Sequence, residues 1–245
     1  MKILVTGHKG YLGARFVAKH GKDFEVVGYD LADGDDILDK NNLENKMAGC
    51  EMVVHLAAIP KPVPGKTFDD YFKINVEGTK NIAQIAEKLQ VRRIIYGSST
   101  TIYGIEVGIP FSVPITESQP FVSQYIDASQ LSSRDVDLSY HVSKVMAEQI
   151  MAWYGLNKKI QIICLRFGPI GKVFLGTSVS DSNAVQAVNI SLNSKKEFWY
   201  QPFSIVDRLK HIDISKAEQV LGYSPEDYNY PPERIRSTLE DKATL

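Results

Sequence analysis

Cysteine is nearly absent from this chain: only Cys50 and Cys164 occur among its 245 residues. So low a count excludes a disulfide-stapled scaffold, and we expect both thiols to be reduced. No apolar run reaches the roughly 20 residues that a membrane-spanning helix requires. The initial MKILVTG also lacks the longer apolar stretch of an export signal. We therefore expect a cytoplasmic protein that has no membrane partner.

An excess of charge of one sign is also missing. The 28 lysines and arginines are balanced by 29 aspartates and glutamates, so no overall field would attract nucleic acid. There is no internal repeat and no low-complexity tract, which excludes repeat and fibrous architectures. With 44% hydrophobic residues, the chain is able to bury a full core. A small polar molecule is the partner that this composition favours.

Short β-rich runs alternate along the chain with stretches of helical periodicity, a pattern typical of a parallel sheet covered by helices. The runs are Lys2–Thr6, Glu25–Tyr29, Met52–Ala57, Arg93–Ser98 and Ile160–Arg166. They predict an α/β fold with a doubly wound parallel sheet of the Rossmann type. The alternation stops near Ile170, so we expect one large domain over residues 1–168 and a small C-terminal region over 169–245. Little order is expected from about Tyr228 onward.

Two segments carry apolar residues at helical spacing, and both helices are expected to pack against the sheet. The first stripe consists of Val76, Thr79, Ile82, Ala83 and Ala86. The second consists of Val142, Val145, Met146, Gln149, Ile150 and Trp153.

A glycine-rich turn, GHKGYLG at residues 7–13, directly follows the first predicted strand. Glycine permits a tight turn and a close approach of backbone to a pyrophosphate, and the N-terminus of the following helix offers free N–H groups. Three glycines at this spacing also occur in ordinary loops. The context favours a dinucleotide site, because Asp30 ends the next strand at close to the usual offset of about 20 residues.

Asp30 also bears on which dinucleotide binds. A carboxylate at this position accepts the ribose hydroxyls of NAD and repels the 2′-phosphate of NADP, so we expect NAD. Lys9 is the counter-argument, since a basic residue within the glycine turn is able to bind that phosphate. Asp36 and Ile37 are expected to form a short third strand, from which Asp36 either meets the adenine amino group or lies in a solvated loop.

The second chemical motif is YHVSK at residues 140–144. On a helix Tyr140 and Lys144 share a face. A lysine charge and an oxidised nicotinamide in a dry pocket would together lower the pKa of a tyrosine from about 10. The phenolate then becomes a general base. The same spacing is common on plain helix surfaces, so the pair gains meaning only from its context.

That context includes Ser98, Ser99 and Thr100, which close the strand Arg93–Ser98 at the carboxyl edge of the predicted sheet, where ligands of such folds bind. A hydroxyl at this edge is placed to hold a substrate oxygen. The alternative is that the serine caps a helix or a turn.

These residues together resemble the extended short-chain dehydrogenases/reductases, which include the NAD-dependent sugar epimerases and dehydratases. The resemblance covers most of the chain. The matching segments are GHKGYLG at 7–13, VVGYD at 26–30, VVHLAA at 53–58, NVEGTKN at 75–81, YGSSTTIYG at 96–104, PITE at 114–117, YHVSK at 140–144, LRFGP at 165–169 and DISKAEQVLGYSP at 213–225.

The resemblance implies that Ser99 is the catalytic hydroxyl, Tyr140 the acid/base and Lys144 the anchor of the nicotinamide ribose. It makes residues 1–168 the NAD-binding domain and 169–245 the substrate-binding region, and it implies a homodimer through the helices near 75–90 and 140–155. Ser99 and Thr100 are the expected substrate contacts, and no metal ligand is expected. The expected NAD contacts are Gly7, Gly10, Tyr11, Leu12, Gly13, Asp30, Asp36, Ile37, Leu56, Ala57, Ala58, Asn75, Tyr140, Lys144 and Phe167.

Four histidine and arginine positions are assigned no catalytic role. His55 and Arg166 fit family positions, but each belongs to a predicted buried strand and is expected to be structural. His8 and His141 are expected to be exposed.

Departures from the family pattern narrow the reaction. Thr100 and Thr101 follow Ser99 where the sugar 4,6-dehydratases have an Asp-Glu pair, which disfavours dehydration. The stretch from Gly168 to Asp181 is short for a clamp on a nucleotide diphosphate. We therefore expect an NAD-dependent epimerase or oxidoreductase acting at a carbinol of a sugar or nucleotide sugar. Two alternatives stay open: a dehydrogenase of a free sugar acid, similar to uronate dehydrogenases, and a non-catalytic NAD-sensing module.

One segment is longer than the family's usual connection. The run from Phe121 to Ser139 contains Arg134 and is expected to be either a substrate-facing lid or a surface insertion.

Overall fold

The computed structural model describes residues 1–124, 138–171, 177–208 and 211–226. Most of the segment from Phe121 to Ser139, with Arg134, and the tail from Tyr228 lie outside these ranges. The strands are β1 (Lys2–Thr6), β2 (Glu25–Tyr29), β3 (Met52–His55), β4 (Arg93–Ser99), β5 (Gln161–Phe167) and β6 (Gln201–Ile205). The helices are α1 (Tyr11–His20), α2 (Lys40–Met47), α3 (Phe68–Tyr71), α4 (Gly78–Lys88), α5 (Ser139–Leu156) and α6 (Asp181–Asn193). A π-helical turn, Phe72–Glu77, joins α3 to α4, and a second covers Ala217–Leu221.

The six strands form one sheet in the order β2-β1-β3-β4-β5-β6. This is the α/β Rossmann architecture that the alternating pattern predicts. The sheet is parallel, and β1 pairs with both β2 and β3. Strand β6 was not expected from the sequence, because its five residues QPFSI follow the point where the alternation of strands and helices stops.

The register of the first four strands aligns their carboxyl ends. Thr6 pairs with Tyr29 and with His55, and His55 pairs with Tyr96. The residues that follow these positions therefore leave the sheet along one edge. They include Gly7, Asp30 and Leu56, while β4 continues to Ser99, and this places the glycine turn and the predicted ribose-binding aspartate side by side.

The chain divides into two compact units. The first comprises residues 1–97, 137–164 and 195–201, and the second comprises 98–136, 165–194 and 202–245. The core of the first unit is built from fully buried aliphatic side chains such as Leu4, Val53, Ile94 and Ile162. In the second unit, Tyr223 is buried and its hydroxyl donates to the carbonyl of Val206 at 3.0 Å. The expected division at residue 168 stays a prediction.

The first apolar stripe packs as predicted: Val76, Thr79, Ile82, Ala83 and Ala86 are all buried. The second helix, α5, also packs against the core, through Ala147 and Met151, but the predicted stripe of residues was wrong. On α5 only Val145 of that stripe is buried, whereas Trp153 remains 54% exposed. The buried side of α5 carries Tyr140, Ser143, Lys144, Ala147, Glu148 and Met151. Polar residues occupy the inner face here, so the apolar pattern indicated the wrong side.

Two further expectations were wrong. Asp36 and Ile37 form no strand, because the Asp36 carboxylate accepts a hydrogen bond from the amide of Leu38 at 2.9 Å and thereby closes a turn. The Asp36 carbonyl, which a strand ladder would use, accepts the hydroxyl of Tyr29. His141 is buried with 3% exposure, since it lies on the inner face of α5, and His8 is partly buried.

Candidate active site

The glycine turn sits tightly against the loop that follows β3. Gly7 has φ of 72°, and a side chain there would bring its Cβ within 2.8 Å of the amide nitrogen of Ala57. Glycine is therefore required for both conformation and space. The amide of Gly10 donates to the carbonyl of Gly7 at 2.9 Å, and α1 begins at the next residue without a side-chain cap. The backbone N–H groups of a helix's first turn point away from the helix, which suits them to bind a diphosphate.

Asp30 directly follows β2, and backbone amides hold its carboxylate. One oxygen accepts the amide of Lys9 at 3.0 Å and the other accepts the amide of Ala32 at 2.9 Å. A carboxylate has about four lone-pair positions, so each oxygen keeps capacity for a ribose hydroxyl. The remaining acceptor positions of Asp30 thus suit the ribose hydroxyls in the adenosine half of NAD.

The other predicted cofactor residues of the first unit lie around this edge. Tyr11 is 49% exposed, with the guanidinium of Arg15 stacked 3.6 Å from its ring centre. Leu12 and Gly13 are buried in the first turn of α1. Leu56, Ala57 and Ala58 are partly exposed. Ile37 is buried, and its carbonyl accepts the side-chain amide of Asn81.

Helix α5 buries both members of the predicted acid/base pair. Tyr140 is 7% exposed and Lys144 is 3% exposed, one helical turn apart on the same side. The ring of Tyr140 lies 6.2 Å from that of Tyr71, centre to centre. The Lys144 ammonium donates to the carbonyl of Gly97 at 2.7 Å and lies 4.6 Å from the ring centre of Tyr96.

Burial lowers the pKa of Lys144 to about 8, against an opposing pull from the nearby Glu148 and Cys164. An ammonium group loses its hydration when it leaves water, so the charged form is disfavoured. Lys144 therefore titrates close to neutral pH, which is the property expected of a group that takes part in proton chemistry.

Sequence reasoning missed Glu148, which is fully buried one turn beyond Lys144. The hydroxyl of Tyr200 donates to its carboxylate at 3.0 Å. The signal was present in the sequence, because residues 140, 144 and 148 continue a single helical face. Carboxylates are almost never fully buried unless they are paired, so the sequence alone offered no reason to place Glu148 inside.

A chain of buried hydrogen bonds links the loop after β3 to α5. Asn75 accepts the amide of Ile59 at 2.8 Å, and its side-chain nitrogen donates to Ser143 at 2.9 Å. Ser143 in turn donates to the carbonyl of Tyr140 at 2.7 Å. Asn75 thus fixes the first turn of α5 against this loop, and its predicted contact with NAD stays a prediction.

His55 is structural, in agreement with expectation. It is 1% exposed. Its ring nitrogens form hydrogen bonds with the hydroxyl of Thr6 at 2.7 Å and with that of Thr79 at 3.0 Å. The Thr79 hydroxyl donates to the carbonyl of Asn75, so it must accept from the Nε2–H of His55. Burial lowers the pKa of His55 to about 3, with a smaller effect of the Lys144 charge. The ring is therefore neutral.

The second unit contains the remaining predicted residues. The Ser99 hydroxyl accepts the amide of Thr101 at 3.2 Å and so caps the short helix Thr100–Tyr103. The capping alternative is thus realised, yet the hydroxyl proton remains available as a donor. Thr100 and Phe167 are buried. Arg166, which is 2% exposed, donates to the Tyr103 hydroxyl at 2.9 Å and is structural.

In residues 1–124, 138–171, 177–208 and 211–226, no helix combines the length and apolar character needed to span a membrane. Within the same ranges, no three or more histidine, cysteine, aspartate or glutamate side chains are grouped so that they could hold a metal ion. Cys50 and Cys164 are buried free thiols.

The glycine turn, the N-terminus of α1 that follows it and Asp30 define a dinucleotide-binding Rossmann protein. The chain belongs to the NAD-dependent epimerase/dehydratase family, whose model matches residues 3–172. The family depends on NAD, and NAD is the cofactor.

Known proteins of similar sequence cover several reactions. The chain is 26% identical over 257 residues to UDP-glucose 4-epimerase of Erwinia amylovora, a match that covers 93% of this chain and 66% of that protein. It is 25% identical over 177 residues to L-arabinose 1-dehydrogenase (NAD(P)(+)) of Haloferax volcanii, covering 68% and 66% respectively. It is 28% identical over 144 residues to a decarboxylating sterol-4-alpha-carboxylate 3-dehydrogenase of Candida albicans, covering 57% and 35%. The chain thus covers between about a third and two thirds of these relatives.

Solved structures agree on the fold. A short-chain dehydrogenase/reductase superfamily protein from Agrobacterium tumefaciens with bound NAD has a TM-score of 0.76 at 17% identity, with 93% of each chain covered. UDP-glucuronic acid 4-epimerase from Bacillus cereus in complex with NAD has a TM-score of 0.73 at 22% identity, covering 93% of this chain and 94% of that one.

Proposed function

We propose that this protein is an NAD-dependent epimerase or oxidoreductase that acts at a carbinol of a sugar or nucleotide sugar. The observation that carries the proposal is the burial of Lys144 one turn beyond Tyr140, with the lysine pKa lowered to about 8. Burying an ammonium group opposes folding, and a role in proton chemistry accounts for its presence. Membership of the epimerase/dehydratase family supports the reaction class.

In the proposed reaction, Tyr140 removes the hydroxyl proton of the substrate as general base. The Lys144 ammonium favours the tyrosinate by its charge and holds the nicotinamide ribose. Ser99 holds the substrate oxygen by donating a hydrogen bond to it. Bound NAD supplies a hydride acceptor at the nicotinamide. Asp30 orients the adenosine end and the turn at Gly7–Gly13 holds the diphosphate.

The substrate class rests on the relatives. A UDP-glucose 4-epimerase supports a nucleotide sugar, whereas an L-arabinose 1-dehydrogenase supports an unactivated sugar. The short segment between Gly168 and Asp181 favours the second candidate, because it leaves little chain for a nucleotide clamp. We therefore keep a dehydrogenase of a free sugar or sugar acid as the second candidate function.

Two other readings have less support. Thr100 and Thr101 follow Ser99, and their hydroxyls are poor substitutes for the carboxyl groups that dehydration uses. A non-catalytic NAD sensor would need the glycine turn and Asp30, but it would have no use for a buried lysine beside a buried tyrosine.

The decisive experiment compares Tyr140→Phe with wild type across a panel of sugars and nucleotide sugars. We expect turnover to fall by at least about a hundredfold, while NAD affinity changes little because the ring remains. Tyr154→Phe is the matched control, since it removes a hydroxyl from a buried tyrosine on the same helix. Full activity in Tyr140→Phe would refute the assignment. Accumulated NADH with the wild type would indicate a dehydrogenase, and isomer formation without it an epimerase.

We also propose a homodimer formed through α5. On α5, Trp153 is 54% exposed and Val142 and Met146 are half-buried. An apolar face of this kind on a helix favours packing against a second copy. Light scattering should give the mass of a dimer for the wild type and of a monomer for Trp153→Glu. A monomeric wild type would exclude this interface.

A further inference from the structure

Both basic side chains of the glycine turn are engaged by one carboxylate. The Lys9 ammonium forms a hydrogen-bonded ion pair with one oxygen of Asp33. The His8 Nε2 atom lies 3.2 Å from the other oxygen. We call these three residues the Asp33 cluster. Each oxygen of Asp33 thus has its own basic partner.

The position of His8 is set by a glycine. A side chain at Gly28 would place its Cβ 2.7 Å from the imidazole Nε2, so the ring lies directly against the backbone of β2. Only glycine leaves this space. The ring is thereby held with Nε2 toward Asp33, and the cluster is anchored to the strand that ends in Asp30.

The Asp33 cluster adjoins the position where the adenosine ribose binds. The amide of Lys9 donates to Asp30, and the amide of Asp33 donates to the carbonyl of Asp30 at 2.9 Å. A carboxylate at the end of the second strand receives the ribose hydroxyls in this fold. NADP carries a phosphate on one of those hydroxyls, so this phosphate would meet the cluster.

We propose that Asp33 strengthens the preference for NAD over NADP by holding Lys9 and His8 away from the ribose 2′ position. With Asp33 present, a 2′-phosphate meets two carboxylates, Asp30 and Asp33, while the one lysine charge is already paired. If the phosphate draws Lys9 away, Asp33 loses its partner and repels the phosphate directly. Either course disfavours NADP and leaves NAD, with its uncharged hydroxyl, unaffected.

The expected effect is moderate because the pair is partly exposed. The Lys9 side chain is 47% exposed and that of Asp33 is 35% exposed, and water screens such pairs. The cluster therefore biases the choice between the two cofactors and does not block the site. This inference rests on the NAD site alone, and its test does not depend on which sugar is the substrate.

The test measures binding of NAD and NADP by calorimetry to the wild type and to Asp33→Asn. Asparagine keeps the shape of the side chain and removes the charge. We expect NADP affinity to rise by about tenfold and NAD affinity to stay within about threefold. Because the gain is electrostatic, it should shrink as the salt concentration rises.

Two further variants separate the mechanism from a general charge effect. In Asp33→Asn combined with Lys9→Met, the gain should disappear, because the freed lysine is what binds the phosphate. Asp23→Asn removes the same charge from another aspartate paired with a histidine, His20, at 2.9 Å. Since Asp23 precedes β2, it lies at the opposite end of this strand from Asp30, and NADP affinity should not change.

The proposal is overturned if Asp33→Asn binds NAD normally without tighter NADP binding, or if the gain persists in the double variant or appears in Asp23→Asn. Asp33→Ser is a second neutral variant, to be used if the Asp33→Asn protein does not fold. If both neutral variants fold and fail to bind NAD, Asp33 is needed for NAD itself and the proposal also fails.

Discussion

The Lys144 ammonium donates a 2.7 Å hydrogen bond to the carbonyl oxygen of Gly97, close to the carboxyl end of β4. This bond fixes the lysine at the sheet edge where the glycine turn and Asp30 also lie. It satisfies one of the three ammonium donors. Burial still lowers the pKa of Lys144 to about 8, so the charged form is held at a cost to stability.

Lys144→Met should make the protein more stable and inactive. The pKa of Lys144 is lower in the folded chain than the ordinary value of 10.5, so the unfolded state binds more protons between pH 8 and 10.5. The cost of burying the charged lysine therefore lowers the free energy of unfolding fully below pH 8, and this cost vanishes above pH 10.5. At pH 7 we expect the free energy of unfolding to rise by about 1–3 kcal/mol, after allowing for the lost hydrogen bond.

Urea unfolding at a series of pH values measures this effect. Lys80→Met, at an exposed position on α4, is the control and should change the unfolding free energy by no more than about 0.5 kcal/mol. A destabilised Lys144→Met at neutral pH would contradict the predicted cost of burying the lysine.

Glu148→Gln should lower the pKa of Lys144 further. Two neighbouring groups, Glu148 on α5 and Cys164 on β5, raise the pKa of Lys144 against the effect of burial. Glu148 is the one that raises the pKa most. Without Glu148 we expect the pKa of Lys144 to fall by about one further unit. The alkaline limb of the plot of kcat against pH should shift by the same amount.

NMR titration of ¹³C-labelled lysine gives the Lys144 pKa directly. Glu87→Gln is the matched control, because Glu87 pairs with Lys159 at 3.2 Å and is partly exposed. An unchanged titration in Glu148→Gln would show that the carboxylate acts through packing alone.

Asp30→Ala should weaken NAD binding more than NADP binding. The loss of charge-assisted hydrogen bonds to the ribose corresponds to about 2 kcal/mol, or roughly thirtyfold in affinity. For NADP, this loss is offset by the removal of a repelling charge. Calorimetry measures both affinities, and Asp36→Ala, measured in parallel, tests whether Asp36 contacts the adenine. A stronger effect of Asp30→Ala on NADP would make Lys9 a phosphate ligand in the wild type.

His55 should make stability depend on pH. Because its pKa falls to about 3 in the folded chain from the ordinary 6.5, only the unfolded state takes up the proton between these values. The free energy of unfolding therefore drops as the pH falls from 6.5 toward 3, by about 1.4 kcal/mol per pH unit from this residue. His55→Gln should flatten the slope in this window, and parallel curves for the two proteins would disprove the assignment.

Local spacing explains which parts of the site were predictable. The residues Gly7, Gly10 and Gly13 fix a turn through backbone conformation, and Asp30 follows from the length of one strand-helix-strand unit. The relation of Tyr140 to Lys144 follows from the helical repeat. All three depend only on covalent geometry, so a single sequence reveals them.

The inner face of α5 could not be predicted in the same way. Apolar periodicity pointed to Trp153 as a core residue, but the helix buries Lys144 and Glu148 instead. Burial of a charge depends on a partner supplied from elsewhere, here the Gly97 carbonyl and the Tyr200 hydroxyl. Neither partner is near α5 in the sequence.

The sequence by itself determined the Rossmann architecture, the family and the candidate acid/base pair, because these depend on spacing along one chain. Only the tertiary structure decided that Glu148 faces Lys144, that Asp33 engages both Lys9 and His8, and that Asp36 and Ile37 close a turn. These relationships join residues through space, and their energies depend on burial and on distances that no sequence interval specifies.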